Sequence, residues 1–376
     1  MRIRTAVTGA VALGVLATTT VLSGALVGGT TAGATSAATQ ALPTRPDKPL
    51  VVGHRGTAGY RPEHTLASYQ LAINLGADYV EPDLVSTKDH VLVARHENYI
   101  SETTDVATHP EFADRETTKV VDGVSLTGWF TEDFTLAELK TLRAKERIPT
   151  VRPDNAIYDG RYQVPTFQEV LELVKRESAR TGRTIGIIPE TKHPTYFDGL
   201  GLSLEEPTVA LLHAYGYDDE TDAAAIQSFE VGNLKELNTT TNVRLVQLFG
   251  GSGQPYDFTA AGVKITYDDM GTRNGIRQIR TYADVLGPNK DRIIAVTPAG
   301  TLGTPTSFVR DAHQFRLGVV PYTFRNENRF LPPALRIGTD PNAYGNAFAE
   351  YAAFYKAGVD GLFSDNADTA LAARDE

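Results

Sequence analysis

Along this chain, short runs rich in β-branched and aromatic residues alternate with stretches whose apolar positions recur every three to four residues. Eight runs qualify as strands: Leu50–His54, Tyr79–Val85, Thr184–Thr191, Ala223–Phe229, Val243–Phe249, Arg292–Thr297, Leu317–Phe324 and Asp360–Ser364. The helical period occupies Thr65–Leu75, Thr166–Thr181, Glu206–Tyr215, Val231–Leu237, Arg273–Leu286, Ser307–Arg316 and Gly345–Ala357. Gly76, Gly182, Gly216 and Gly358 stand where helices need a residue tolerant of left-handed dihedrals in order to stop. Strand–helix alternation marks parallel βα units, and eight of them predict an α/β fold closed as a TIM (β/α)8 barrel.

One gap breaks the rhythm. From Asn98 to Pro165 the chain is rich in Thr, Asp, Glu, Gly and Tyr without a strong period. Compact domains rarely carry a structureless loop of that length. The segment is therefore expected to be a subdomain inserted after the second strand, over the barrel mouth, with a short helix near Leu136–Arg143 and a part in shaping the substrate site.

The N-terminus reads as a targeting segment. Arg2 and Arg4 precede an uncharged apolar stretch from Thr5 to about Val27, and Ala32-Gly33-Ala34 offers a small-x-small cleavage site. Residues 1–34 are read as a signal peptide, 35–48 as a flexible leader, and 49–376 as the folded domain. The apolar stretch is long enough for a membrane anchor, but its Thr, Gly and Ala content and its flank favour removal. No Cys follows for lipid attachment, and Ile3 between the arginines argues against a twin-arginine signal. The expected location is secreted, or at least extracytoplasmic, with no integral membrane anchor after processing and no protein partner inferred.

Charge and cysteine content narrow the chemistry. The formal net charge is −10, and becomes −12 without Arg2 and Arg4. A surface of that sign repels phosphate polymers and argues against nucleic acid as a partner. A phosphate-bearing ligand would need a local cluster of cations or a metal. With no Cys, an exported domain must rely on a sizeable core.

The polar residues of the βα units gather at strand ends: His54-Arg55, Glu81 and Asp83, Glu190 and Lys192, Gln227-Ser228, Tyr322 with Arg325, and Ser364-Asp365-Asn366. In a barrel all these ends open on one face. Glu81 and Asp83, two apart on a strand, leave the same side of the pleat and can approach one ion. With Glu190 from the next barrel strand they offer three hard oxygens, the ligand type that selects Ca²⁺ or Mg²⁺. An E-x-D pair alone could merely line a polar rim; Pro82 between the two and the third carboxylate favour a metal.

His54 and His96 are the acid/base candidates, because imidazole titrates near neutrality. A lone His at a strand end is commonly structural, but this pair stands beside carboxylates and Arg55. Arg55 and Lys192 can bind phosphoryl oxygens or balance the carboxylates, and one side chain can do both. Of the remaining histidines, His193 beside Lys192 draws most interest. Tyr322, Phe229, Phe363 and Trp129 are candidates to pack a ligand or cover the mouth.

The segments His54-Arg55-Gly56, Arg61-Pro62-Glu63-His64-Thr65, Glu81-Pro82-Asp83, Thr87-Lys88-Asp89 and His96-Glu97 resemble the N-terminal signature of the glycerophosphodiester phosphodiesterase family. Pro189-Glu190-Thr191-Lys192, Gln227-Ser228-Phe229, Tyr322-Thr323 and Gly361-Leu362-Phe363-Ser364-Asp365 fit the same family in the same order, so the resemblance spans roughly Pro49 to the C-terminus. The insertion after His96 resembles that of the secreted and periplasmic branch. His64 departs from the family, which usually shows Asn there; it is expected to shape the first helix start and leave catalysis intact.

The resemblance implies hydrolysis of glycerophosphodiesters to glycerol 3-phosphate and an alcohol. It implies one divalent cation on Glu81, Asp83 and Glu190, Ca²⁺ with Mg²⁺ as the alternative. It places His54 and His96 as proton carriers, Arg55 at phosphate, and Lys192 near metal and substrate oxygens, with Tyr322 at the substrate. Two routes stay open: attack by a neighbouring glycerol hydroxyl through a cyclic phosphate, or direct attack by water. Rival readings are a phosphodiesterase of intact phospholipids, sphingolipids or glycerol-phosphate wall polymers, a carboxylate-pair glycosidase, and a phosphodiester-binding module without turnover.

Overall fold

The computed structural model describes residues 47–376; the expected signal peptide, and the leader up to residue 46, lie outside them. Thirteen strands are assigned among the described residues: β1 Leu50–His54, β2 Tyr79–Glu81, β3 Asp83–Ser86, β4 Leu92–Ala94, β5 Thr117–Val121, β6 Val124–Gly128, β7 Gly186–Ile187, β8 Glu190–Thr191, β9 Ala225–Ser228, β10 Arg244–Phe249, β11 Val285–Pro288, β12 Gly318–Val319 and β13 Gly361–Ser364. Parallel ladders run β13-β1-β2-β7 and β12-β11-β10-β9-β8-β3. Backbone bonds from Asp360 N to Val319 O (2.8 Å), Phe363 N to Pro321 O (3.0 Å) and Phe324 N to Phe363 O (2.9 Å) carry the ring from β12 round to β13. The fold is the expected TIM barrel.

Two expected strands are each divided. Pro82 interrupts the second strand into β2 and β3, and the third is split into β7 and β8 ahead of Pro189. Proline has no N–H to give a ladder, so it sits where pairing changes partner.

One strand was misplaced by the periodicity. Arg292–Thr297 forms no strand, and the barrel strand is β11, whose first two residues, Val285 and Leu286, fall at the end of the run read as helix Arg273–Leu286. That helix stops at Ile279. Val285-Leu286 is a short apolar run, and such a run fits a helix end or a buried strand equally well.

The helices otherwise fall where the period put them. Thr65 and Thr166 cap Leu66–Leu75 and Phe167–Thr181 through their hydroxyls, the second with a full capping box to Glu169. Gly76, Gly182, Gly216 and Gly358 all adopt positive φ. Residues 98–165 include a β5–β6 hairpin that the sequence pattern did not show and a helix at Leu136–Leu139. Among the described residues no helix is long and apolar enough to cross a membrane.

The core explains where the site can be. Alternation along the strands sends Leu50, Val52, Tyr79, Ile188, Ala225, Val246, Leu248, Val285, Val320 and Phe363 into the barrel, where they form their own buried cluster. A larger cluster packs the helices on the outside. The interior is thus closed by apolar side chains over most of its height, and polar groups gather at its C-terminal rim.

Candidate active site

Strand register builds the rim. His54 pairs with Glu81, Asp83 with Glu190, and Glu190 with Gln227. Neighbouring strands lie about 4.8 Å apart, so the carboxylates are forced together. One oxygen from each of Glu81, Asp83 and Glu190 lies within 4.8 Å of the others, and all three residues are buried. They line a cavity of about 320 Å³ with His54, Arg55, His96, Lys192, Gln227, Phe229, Lys290, Tyr322, Arg325 and Phe363.

Three buried carboxylates at this spacing are electrostatically unfavourable without a cation. Burial and mutual repulsion push Glu81 well above the usual range, and burial raises Glu190 to about 8 against the pull of Lys192. Burial also opposes the charge on Asp83, but His64 and Lys192 hold it well below that range. Glu81 accepts from the Arg55 amide (2.7 Å) and from Gln227 (3.1 Å), and Glu190 pairs with Lys192 (3.0 Å). Asp83 Oδ1 is buried with no partner. An all-oxygen set with an unsatisfied buried acceptor fits a hard divalent cation, with water or substrate supplying the remaining ligands.

The two imidazoles are held alike. The Nδ1 of His54 lies 2.5 Å from Asp365 Oδ1, and that of His96 lies 2.8 Å from Glu97 Oε1. A carboxylate only accepts, so each Nδ1 carries the hydrogen and each Nε2 keeps its lone pair. Burial lowers His54 to about 4 despite Asp365, and burial with Arg55 and Lys192 lowers His96 to about 3. Both rings are neutral near pH 7.

Asp365 is itself clamped: its Oδ2 accepts from Arg152 Nη2 (2.7 Å) and Arg325 Nε (2.9 Å). Arg152 comes from the 98–165 segment, and it also donates to Glu327 (2.6 Å) and Ala58 O (2.9 Å). Arg55 reaches Glu63 (2.9 Å) and stands 3.5 Å from Asp83. Its φ of 55° is a strained choice for a non-glycine residue, and it turns the Arg55 amide onto Glu81.

Two expectations change. Thr65 supplies the cap of the first helix, and His64 precedes it with a φ of 52°. The buried His64 ring accepts from Tyr69 (2.7 Å) at Nδ1 and donates from Nε2 to Asp83 Oδ2 (2.8 Å), so it orients a candidate ligand. Tyr322 lines the cavity with its ring, while its hydroxyl donates to Phe249 O (2.7 Å). Trp129 does not line the cavity; it is buried and donates to Phe112 O (2.7 Å). Phe229 and Phe363 do line it, Phe229 meeting Tyr322 edge-on at 6.0 Å.

Sequence reasoning assigned no role to Asp365, Glu97, Arg152, Arg325 or Gln227. The signal for Asp365 was its place at a strand end, and for Glu97 its adjacency to His96. Nothing local marks Arg152.

A barrel rim bearing a carboxylate trio, two imidazoles and phosphate-suited cations defines a hydrolase of anionic esters. The glycerophosphoryl diester phosphodiesterase family matches residues 54–369, and the chain belongs to that family of phosphoric diester hydrolases. A glycerophosphodiester phosphodiesterase of Arabidopsis thaliana is 36% identical over 336 residues, 86% of this chain and 85% of its own length. One from Haemophilus influenzae is 30% identical over 86% of this chain and 88% of its own. An Oleispira antarctica phosphodiesterase solved with the product sn-glycerol-3-phosphate superposes with a TM-score of 0.52 at 19% identity, covering 88% of this chain and 98% of the other.

Proposed function

We propose that this enzyme hydrolyses glycerophosphodiesters to glycerol 3-phosphate and a free alcohol with the help of one divalent cation. The observation that carries the reading is the buried Glu81, Asp83 and Glu190 trio sharing one cavity with His54, His96, Arg55 and Lys192. The names of the relatives, and the product held by the Oleispira phosphodiesterase, support the substrate class.

Glu81, Asp83 and Glu190 would hold the cation, which would supply Lewis-acid charge beside the phosphoryl group. Arg55 and Lys192 balance the remaining phosphoryl charge from fixed, buried positions. One imidazole takes the proton of the attacking hydroxyl at Nε2 as the new O–P bond forms. The other, having taken a proton from solvent at Nε2 as the anionic diester binds, gives it to the departing alcohol oxygen as its O–P bond breaks. An anionic phosphoryl group nearby opposes the downward shift of both rings. Phe229, Tyr322 and Phe363 wall the glycerol end.

Hard oxygen ligands and an extracytoplasmic setting, which the segment 1–34 suggests, favour Ca²⁺ over Mg²⁺. The 98–165 segment has no strongly hydrophobic run for lipid capture, which favours small soluble diesters, and a glycosidase would leave the histidines and cations idle. Chelator-treated enzyme should lose turnover of glycerophosphocholine and regain it with Ca²⁺. Recovery with Mg²⁺ alone would reverse the ion assignment, and full activity in chelator would remove the metal from the reaction.

A further inference from the structure

His193 stands outside the chemistry above, yet its surroundings are unusual. It has a φ of 51° at the start of the short helix Pro194–Gly199, and its ring makes no capping bond there. Instead Nδ1 lies 2.6 Å from Asp122 Oδ2 and Nε2 lies 2.7 Å from Glu97 Oε2. Both ring nitrogens face carboxylate oxygens, which can only accept, so both must carry hydrogen and the ring is an imidazolium. Glu97 turns its other oxygen to His96 Nδ1 at 2.8 Å. An unbroken line thus runs from the cavity-lining His96 through Glu97 and His193 to Asp122.

Asp122 and Gly123, with φ of 49° and 80°, form the tip of the β5–β6 hairpin, where Asp-Gly suits a tight turn of this hand. The hairpin therefore delivers a carboxylate to the rim from a separate part of the chain. A carboxylate beside His96 that was free to swing could not fix the ring. Tethering Glu97 to a cation that is itself tethered removes that freedom.

We propose that Asp122, His193 and Glu97 form a positioning relay that holds His96 in the orientation and tautomer acid/base chemistry needs. The inference rests on the reading of His96 as a proton carrier, and it assigns to the hairpin a role in setting that ring. The arrangement parallels His54, whose Asp365 is anchored by Arg152 and Arg325. Each imidazole is held by a carboxylate, and each carboxylate by a cation. Burial opposes charge on His193, but its bonds to Asp122 and Glu97 raise its pKa to about 9, in keeping with the geometry.

Three variants of the full enzyme test this. Asp122→Asn keeps shape and suits the left-handed turn, but replaces the anion with an amide. His193→Gln keeps an amide donor to Glu97 but removes the cation, and His193→Arg restores a cation with several donors. Asp122→Asn and His193→Gln should lower kcat on glycerophosphocholine about tenfold with KM within twofold, and His193→Arg should recover most of the loss. Nitrogen NMR of labelled histidine, assigned with His193→Gln, reads the relay without turnover. At pH 7.5 His193 should carry hydrogen on both nitrogens and His96 on Nδ1 alone, and Asp122→Asn should give His96 a mixture of tautomers. A neutral His193 at that pH, or parental kcat in Asp122→Asn, overturns the relay. A parent enzyme inactive on every glycerophosphodiester would instead overturn the functional reading, while the nitrogen signals would still decide the relay.

Discussion

Replacing Asp365 by Asn probes the geometry most directly. The substitution preserves shape but removes the anion that His54 Nδ1 meets at 2.5 Å and that Arg152 and Arg325 meet at 2.7 and 2.9 Å. His54 and Arg152 are buried and Arg325 is partly exposed, so solvent compensates little; breaking a buried charge cluster at one member costs about 3–5 kcal/mol. Arg152 retains Glu327, which places the expected loss near the lower end. The effect on turnover should be larger than the effect on folding. An amide can present either oxygen or nitrogen to Nδ1, and the wrong tautomer buries the lone pair that Nε2 needs. In serine-protease triads the equivalent change costs about 10⁴-fold, and a loss of about 10³-fold here corresponds to about 4 kcal/mol of barrier. Urea melts at 25 °C give the stability change, and release of glycerol 3-phosphate under saturating glycerophosphocholine gives kcat. If the variant stays folded and its kcat remains within threefold of the parent, His54 is not set by Asp365 and the acid/base assignment fails.

Two further outcomes follow from groups around the site. His64→Ala removes the donor to Asp83 and should weaken divalent-ion binding 10- to 100-fold by calorimetry; unchanged affinity would mean that His64 only packs. Stability should fall as pH drops from about 6.5 toward 4. The folded pKa of His54 is about 4 and the unfolded value about 6.5, so in that window the unfolded chain takes up a proton the folded one refuses, worth about 3 kcal/mol at the low end. His193 has the opposite sign: its folded value is about 9, so its contribution is present below 6.5 and fades as pH rises through 9. Glu190, held up to about 8, changes stability in the opposite sense to His54 over the acid window, so urea melts from pH 4.5 to 9.5 are run on the parent and on His54→Asn; equal acid slopes in the two would contradict a buried neutral His54.

The barrel was legible because parallel strands between helices leave two strong marks, buried β-branched runs and capped amphipathic stretches. Where one mark was weak, the reading slipped: Val285-Leu286 is too short to declare its period, and it was absorbed into the preceding helix. The grouping of the carboxylate trio was legible because i, i+2 spacing and strand ends translate directly into position. The clamps were not. Arg152 and Asp122 reach the rim from segments whose local pattern is silent, Arg325 stands out only as one polar strand-end residue among several, and their pairing with Asp365 and His193 exists only once the chain is folded. His64 was legible only in part for a related reason. Its neighbours in sequence pointed to the helix start, whereas its ring points across to Asp83.

The reach of Arg152 from the 98–165 segment into the barrel bears on how such an enzyme could be trimmed. Cutting that segment back to a short connector would strand Asp365 and Glu327 with fewer positive neighbours in the interior. A smaller version would therefore need a substitute guanidinium, or neutral residues at both places. The excursion in the chain is stitched into the catalytic floor by charge, so length alone is no guide to what can be removed.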